Sequence, residues 1–309
     1  MKKRTKIILG VLTSLLIITL IGLGFVGNYL YDLALNPNTD KDMIFNNEDT
    51  ENQEHFEVED TFFKDVAFEE YNIENDGLQL HAYDFYQNSN TYVIVIHGYT
   101  SQGLEMGIST KHFYDMGYNV LVPDLRGHGL SEGDYIGMGW DERLDIIAWI
   151  DLLEEKDDYN IILYGVSMGA ATLMNTIGEN LPDSVKLAIE DCGYTSTWDI
   201  FAYQLDSLFS LPATPFMDAA NVITGIRAGY NLKEGPINQI KNATIPILFI
   251  HGDADTFVPF SMLDELYDAA PNPKEKLVIK GAGHGQAYLV DSETYWNTVD
   301  SFIQKYITR

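Results

Sequence analysis

The hydrophobic and polar positions divide the chain into three unlike stretches. From Ile7 to Val26 there is no charged residue, and the apolar run is broken only by glycines and by Thr13, Ser14 and Thr19. At 1.5 Å rise per residue, a helix of about 20 residues matches the roughly 30 Å hydrocarbon core of a bilayer. Lys2, Lys3, Arg4 and Lys6 precede the run, and Tyr29 and Tyr31 follow it. Basic flanks stay in the cytoplasm, and aromatic residues gather at the interface. The pattern predicts an uncleaved transmembrane anchor over 1–27 in the cell membrane, with the remaining chain on the extracytoplasmic side. A cleaved signal needs a shorter apolar stretch followed by a small-x-small site. Here Gly22-Leu23-Gly24 lies inside the run instead.

Residues 28–61 are rich in Asn, Asp and Glu with almost no apolar period, which predicts a polar acidic stalk. His55 falls there without a local partner.

From residue 62 strands and helices alternate. LQLHAYDFY (78–86) alternates apolar and polar positions, as a half-exposed strand does. TYVIVIHG (91–98), NVLVPD (119–124), NIILYGVS (160–167), KLAIED (186–191), IPILFIHG (245–252) and EKLVIKG (275–281) are short runs rich in β-branched residues, as buried parallel strands are. Between them lie helical patterns. One has Met106, Phe113 and Met116 on successive turns and ends at Gly117. Another covers 140–156, with Leu144, Ile147, Trp149, Ile150 and Leu153 as its apolar face. Two more cover 170–178 and 294–307. This rhythm predicts an α/β fold, a mostly parallel sheet with helices on both faces. The stretch 196–244 breaks the rhythm, because it has no strand. Trp198, Phe201, Leu205 and Leu208 recur at helical spacing, Pro212 and Pro215 interrupt, and a second helix follows. The expectation is a helical cap over one end of the sheet, its aromatic stripe lining an apolar pocket.

Composition narrows the chemistry. The chain has 309 residues, 46 acidic and 19 basic, for a formal charge of −27. Such a surface repels phosphate backbones, which excludes nucleic-acid binding as a plausible role. Cys192 is the single cysteine, so there is neither an internal disulfide nor a cysteine-based zinc site. No histidine pair has metal-ligand spacing, and the first strand–helix turn lacks G-x-G-x-x-G. No metal or cofactor is expected.

Gly165-Val166-Ser167-Met168-Gly169 is a G-x-S-x-G string between an apolar strand and a helix. A strand that turns into a helix within one or two residues leaves the serine exposed at a strained tip, and side chains at the flanking glycines would collide across the turn. A serine hydroxyl needs an adjacent base to act as a nucleophile near pH 7. His284, in GAGHG after the last strand, follows every plausible acid and lies at the same sheet edge. An acid must then hold its imidazole in one tautomer. Asp255 in HGDADTFVP (251–259) is preferred; Asp253 and Asp191 are the alternatives. Oxyanion donors are expected at the backbone amides of Met168, after the serine, and Tyr99, in the loop after the 91–98 strand. His97 is expected to order that loop.

Together HGYT (97–100), DLRGHGLSEG (124–133), GVSMG (165–169), HGDADTFVP and GAGHG resemble bacterial α/β-hydrolase-fold serine hydrolases. The set is most similar to membrane-anchored members of the serine-aminopeptidase-like group, over about 65–309. The resemblance implies a mostly parallel eight-stranded sheet, a catalytic triad of Ser167, Asp255 and His284, an oxyanion hole at Tyr99 and Met168, and mostly structural roles for Arg126 and His128. The motifs do not select the substrate; the leading expectation is a serine esterase that hydrolyses a short or medium acyl ester through an acyl-enzyme. The alternatives are a peptidase, or an inactive binding module on the same scaffold. Proline-specific aminopeptidases of this fold use acidic cap residues to grip an amino terminus. Asp199, Asp206 and Asp218 lie in the insertion but cannot be placed from sequence.

Overall fold

A computed structural model describes residues 3–45, 62–271 and 273–307. His55, and the stalk from residue 46 on, lie outside the described residues. Eight strands form one sheet: β1 (Glu69–Asn75), β2 (Leu78–Phe85), β3 (Thr91–Ile96), β4 (Asn119–Pro123), β5 (Asn160–Val166), β6 (Val185–Asp191), β7 (Ile247–Gly252) and β8 (Lys274–Ile279). Their order is β1-β2-β4-β3-β5-β6-β7-β8. β2 is antiparallel to both its neighbours, and every pair from β4 to β8 is parallel.

The longer helices are α1 (Lys3–Leu35), α2 (Gly107–Asp115), α3 (Glu142–Lys156), α4 (Met168–Thr176), α5 (Thr197–Phe209), α6 (Ala213–Arg227), α7 (Ser261–Ala269) and α8 (Ser292–Tyr306). Central strands are apolar on both sides because helices cover both faces. On β3, Tyr92, Ile94 and Ile96 enter the core under α3, α4 and the cap. Val93 and Val95 enter the other core, against Phe113 of α2 and Val299, Phe302 and Ile303 of α8.

Three differences from the sequence reading have physical causes. β1 was not legible, since its alternate residues are exposed and it is mostly polar. On α3, Leu144 is 41% exposed, whereas Glu142 and Asp145 are buried. Arg126 binds Asp145 through two nitrogens at 2.6 and 2.7 Å, which turns that polar edge inward. The third concerns the stalk. Residues 28–35 are not polar linker but the last two turns of α1, with Tyr31, Leu33 and Leu35 buried. They pack on α6 and the loops beneath it. The Tyr99 hydroxyl donates to the Ala34 carbonyl (2.6 Å), the Ile136 amide to that of Leu35 (2.8 Å), and Lys41 Nζ to that of Asn36 (2.6 Å).

α5 and α6 fall between β6 and β7, an interval with no strand. Ser196 caps α5, its hydroxyl accepting from the Asp199 amide at 3.1 Å. Within the Pro212–Pro215 break, Thr214 is non-helical and kinks the start of α6.

Candidate active site

β5 ends at Val166 and α4 begins at Met168, so one residue makes the whole turn. That residue, Ser167, has φ +57° and ψ −117°, a conformation β-carbon-bearing residues rarely adopt. The residues two positions before and after it must be glycine. A Cβ on Gly165 would strike the Gly169 carbonyl, and one on Gly169 would strike the carbonyl oxygens of Ile96 and His97. The Ser167 amide donates to the Asp191 carbonyl at 2.8 Å, tying the turn to the end of β6. Asp191 is held in turn from α8: the Tyr295 hydroxyl reaches its Oδ2 at 2.9 Å, and Tyr164 reaches Tyr295 at 2.9 Å.

Three distant side chains meet at this turn. Ser167 Oγ lies 2.8 Å from His284 Nε2, and His284 Nδ1 lies 2.8 Å from Asp255 Oδ2. With Nδ1–H donating to the carboxylate, Nε2 is left to accept the serine proton. The other carboxylate oxygen, Oδ1, accepts from the amides of Phe257 (2.9 Å) and Val258 (2.8 Å). Burial pushes the Asp255 carboxyl up, but His284 and the hydrogen bonds from His251 and His284 outweigh it and hold the group below the usual carboxylate range. The other two acids are engaged elsewhere. Asp253 accepts from the Gly281 amide at 2.5 Å, and Asp191 is bonded to Tyr295 with its carboxyl pushed up to about 6 by burial.

His251 is a partner that sequence reasoning missed. Its Nε2 lies 3.1 Å from both Asp255 Oδ2 and the Val258 carbonyl, so Nε2 carries the proton and donates to both. The i, i+4 spacing of His251 and Asp255 at a strand end was the available signal.

The loop after β3 comes close to the turn. A Cβ on Gly98 would stand 3.4 Å from that of Ser167. The amide of Met168 opens α4 and so has no carbonyl partner within the helix. His97 is fully buried, with Nδ1–H donating to the Gly98 carbonyl (2.8 Å) and Nε2 accepting from the Leu125 amide (2.9 Å). Burial lowers its pKa to about 3, so it is a neutral brace for the loop. His128 accepts from the Thr100 amide at 3.3 Å while Arg126 is clamped to Asp145; both roles are structural.

Ser167 opens into an apolar cleft. Phe201, Leu205 and Leu208 of α5 line it, together with Met217, Ala220 and Thr224 of α6. Trp198, expected in this stripe, is outside the lining and packs beneath Lys233. The opposite wall is Leu30, Tyr31 and Leu33–Leu35 of α1. Sequence reasoning assigned these residues to the stalk; the signal it passed over was the spacing of Leu30, Tyr31 and Leu35 directly beyond the apolar run. Among the described residues no acidic side chain lines the cleft, and Asp199 is spent on Thr195 and Ser196 at 2.9 and 2.6 Å. Cys192 Sγ lies within 4.8 Å of ligand atoms of Asp255 and His284. Those two groups are committed to each other, and burial pushes the thiol well up, so it is protonated and a poor metal ligand.

A mostly parallel eight-stranded sheet with a serine on the turn between its fifth strand and the next helix defines an α/β hydrolase. The chain belongs to that superfamily, in its serine-aminopeptidase-like family. Residues 87–191 match the family described as serine aminopeptidase, S33. Protein YqkD of Bacillus subtilis (strain 168) is 30% identical over 294 residues, covering 93% of this chain and 94% of YqkD. Protein YfhR of Escherichia coli (strain K12) is 30% identical over 177 residues, 55% of each chain. Among solved structures, the Pyrococcus furiosus esterase Pf2001 shares the fold with a TM-score of 0.65. It is 24% identical, covering 79% of this chain and 92% of the esterase.

Proposed function

We propose that this hydrolase is a membrane-anchored serine esterase that cleaves acyl esters of uncharged small molecules. In this reading residues 62–309 are the catalytic domain, capped at about 196–244, and α1 anchors it to the extracytoplasmic face of the cell membrane. Ser167 is the nucleophile, His284 the general base and Asp255 the orienting acid. His284 takes the Ser167 proton as Oγ attacks the ester carbonyl, and the oxyanion is received by the amides of Tyr99 and Met168. His284 then protonates the departing alcohol, leaving an acyl-serine. Water, deprotonated by the same imidazole, releases the acid.

The observation that carries the reading is a serine hydrogen-bonded to an imidazole at the floor of an apolar cleft. An acyl chain suits such a lining, because its burial is favourable by roughly 0.8 kcal/mol per methylene. A peptidase needing a charged grip on an amino terminus is poorly served by a lining without carboxylates.

Replacing Ser167 with Ala tests the assignment. Hydrolysis of p-nitrophenyl butyrate should fall by a factor on the order of 10⁶, as when nucleophiles of such triads are removed. A fluorophosphonate probe should label wild type and spare the variant. Retained hydrolysis in a correctly folded S167A protein overturns the proposal. Faster turnover of aminoacyl amides than of acyl esters by wild type replaces esterase with peptidase.

A further inference from the structure

The apolar side chains of α1 from Ile7 to Ile21 are more than half exposed, as lipid-facing residues are; from Leu23 onward one side of the helix becomes covered, at Leu23, Val26, Gly27 and Leu30, while Phe25 and Tyr29 stay 75% and 52% exposed. At Gly27, one position past the uncharged run, α6 crosses so closely that a Cβ would lie 2.7 Å from the Ala219 backbone. Small residues at a crossing let two helix backbones approach in this way. The height of α6 is therefore fixed relative to the apolar run. Arg227 sets it a second time, reaching Asn28 and Asp32 of α1 at 2.9 and 2.7 Å with its guanidinium 3.9 Å from the centre of the Tyr31 ring.

The outward side of α6 is aliphatic. Val222 and Ile226, following Ala219 at helical spacing, are 61% and 75% exposed on an otherwise acidic protein. Arg227, the residue after Ile226, reaches residues 28–32, only about 3–9 Å beyond the end of the apolar run at 1.5 Å per residue, so Ile226 lies within an arginine side chain's reach of that level. That is the depth of the headgroup layer, where apolar helix faces bury themselves. The inward side of the same helix supplies Met217, Ala220 and Thr224 to the cleft. One helix thus separates the acyl cleft from the level of the lipid.

We propose that α6 rests in the outer interface of the bilayer that α1 spans, and that the cleft is loaded from it. The substrate is then an acyl ester carried by a membrane lipid. This rests on the anchored-esterase reading and adds the source of the ester.

The test uses the full-length chain in phosphatidylcholine vesicles. Ile226→Cys is labelled with a polarity-sensitive fluorophore; buried Cys192 stays silent. Brominated-chain phosphatidylcholine should quench this label by half or more, and a label on exposed Glu154→Cys hardly at all. Equal quenching at the two sites overturns the membrane contact. In a second arm, the Val222→Asp, Ile226→Asp double variant should keep wild-type turnover of soluble p-nitrophenyl butyrate and lose at least tenfold on diacylglycerol doped into the vesicles. Undiminished diacylglycerol hydrolysis overturns loading from the bilayer, as does an equal loss on both substrates. If wild type hydrolyses neither ester, the esterase reading fails, and lipid loading of the cleft with it, while quenching still decides the contact of α6.

Discussion

Removing the N-terminal segment in two steps separates anchoring from folding. A chain lacking residues 1–26 loses only the uncharged run and its basic flank. A chain lacking 1–35 also loses Tyr31, Leu33 and Leu35, which are 3%, 9% and 1% exposed. Burying a side chain of this size contributes about 1.5–3 kcal/mol, so the three together contribute roughly 4–9 kcal/mol as an upper bound. The Tyr99–Ala34 and Ile136–Leu35 hydrogen bonds add about 1 kcal/mol each. Against a total stability of about 5–15 kcal/mol this is a large loss. For a domain of this size each kcal/mol moves Tm by about 2–4 °C, so the shorter chain should melt roughly 10–40 °C lower. Its cleft also loses a wall, and KM for p-nitrophenyl esters should rise. Thermal unfolding followed at 222 nm, with ester kinetics below the transition, reads both effects. If the two chains melt within about 2 °C of each other, the last turns of α1 are not part of the domain and the reasoning fails.

Other outcomes follow from single residues. The Asp255 carboxyl is held below its ordinary range, so its stabilising contribution is present above the unfolded pKa and fades as pH falls through the folded one. The stability gap between wild type and Asp255→Asn in urea should therefore be wide at pH 7 and narrower at pH 3; a gap independent of pH contradicts the charge pairing. Gly169→Ala drives a methyl into the Ile96 and His97 carbonyls and should abolish soluble expression, an expectation overturned by a variant with normal yield and activity. His97→Phe strands the Leu125 amide, a loss of about 1–3 kcal/mol. Because His97 is already neutral, this variant should leave the pH profile of hydrolysis in place; a moved acid limb shows that His97 titrates in catalysis.

The sheet was legible in sequence, and so was the meeting of Ser167, His284 and Asp255 at one sheet edge, because each lies at a strand end with a recognisable local pattern. Buried strands advertise themselves by runs such as TYVIVI, and a one-residue strand–helix turn demands the glycines of GVSMG. Choosing Asp255 over Asp253 depended on which carboxylate the chain leaves beyond the strand end. Burial of the helix from Leu30 to Leu35 depended on α6, nearly two hundred residues away, and no local window contains that contact. The polarity of DKD and NNEDTE further on pulled the reading of the segment toward solvent. Likewise the outward turn of Leu144 was decided by Arg126, through a carboxylate that looked like a surface residue.

The Tyr295–Asp191–Ser167 linkage has a consequence for the order of synthesis. The bend at Ser167 is built from residues near the middle of the chain, but the phenol bracing it from behind is among the last fifteen residues of the 309. A growing chain thus holds an unbraced turn until its C-terminal helix has folded back. The turn is complete only once synthesis has ended.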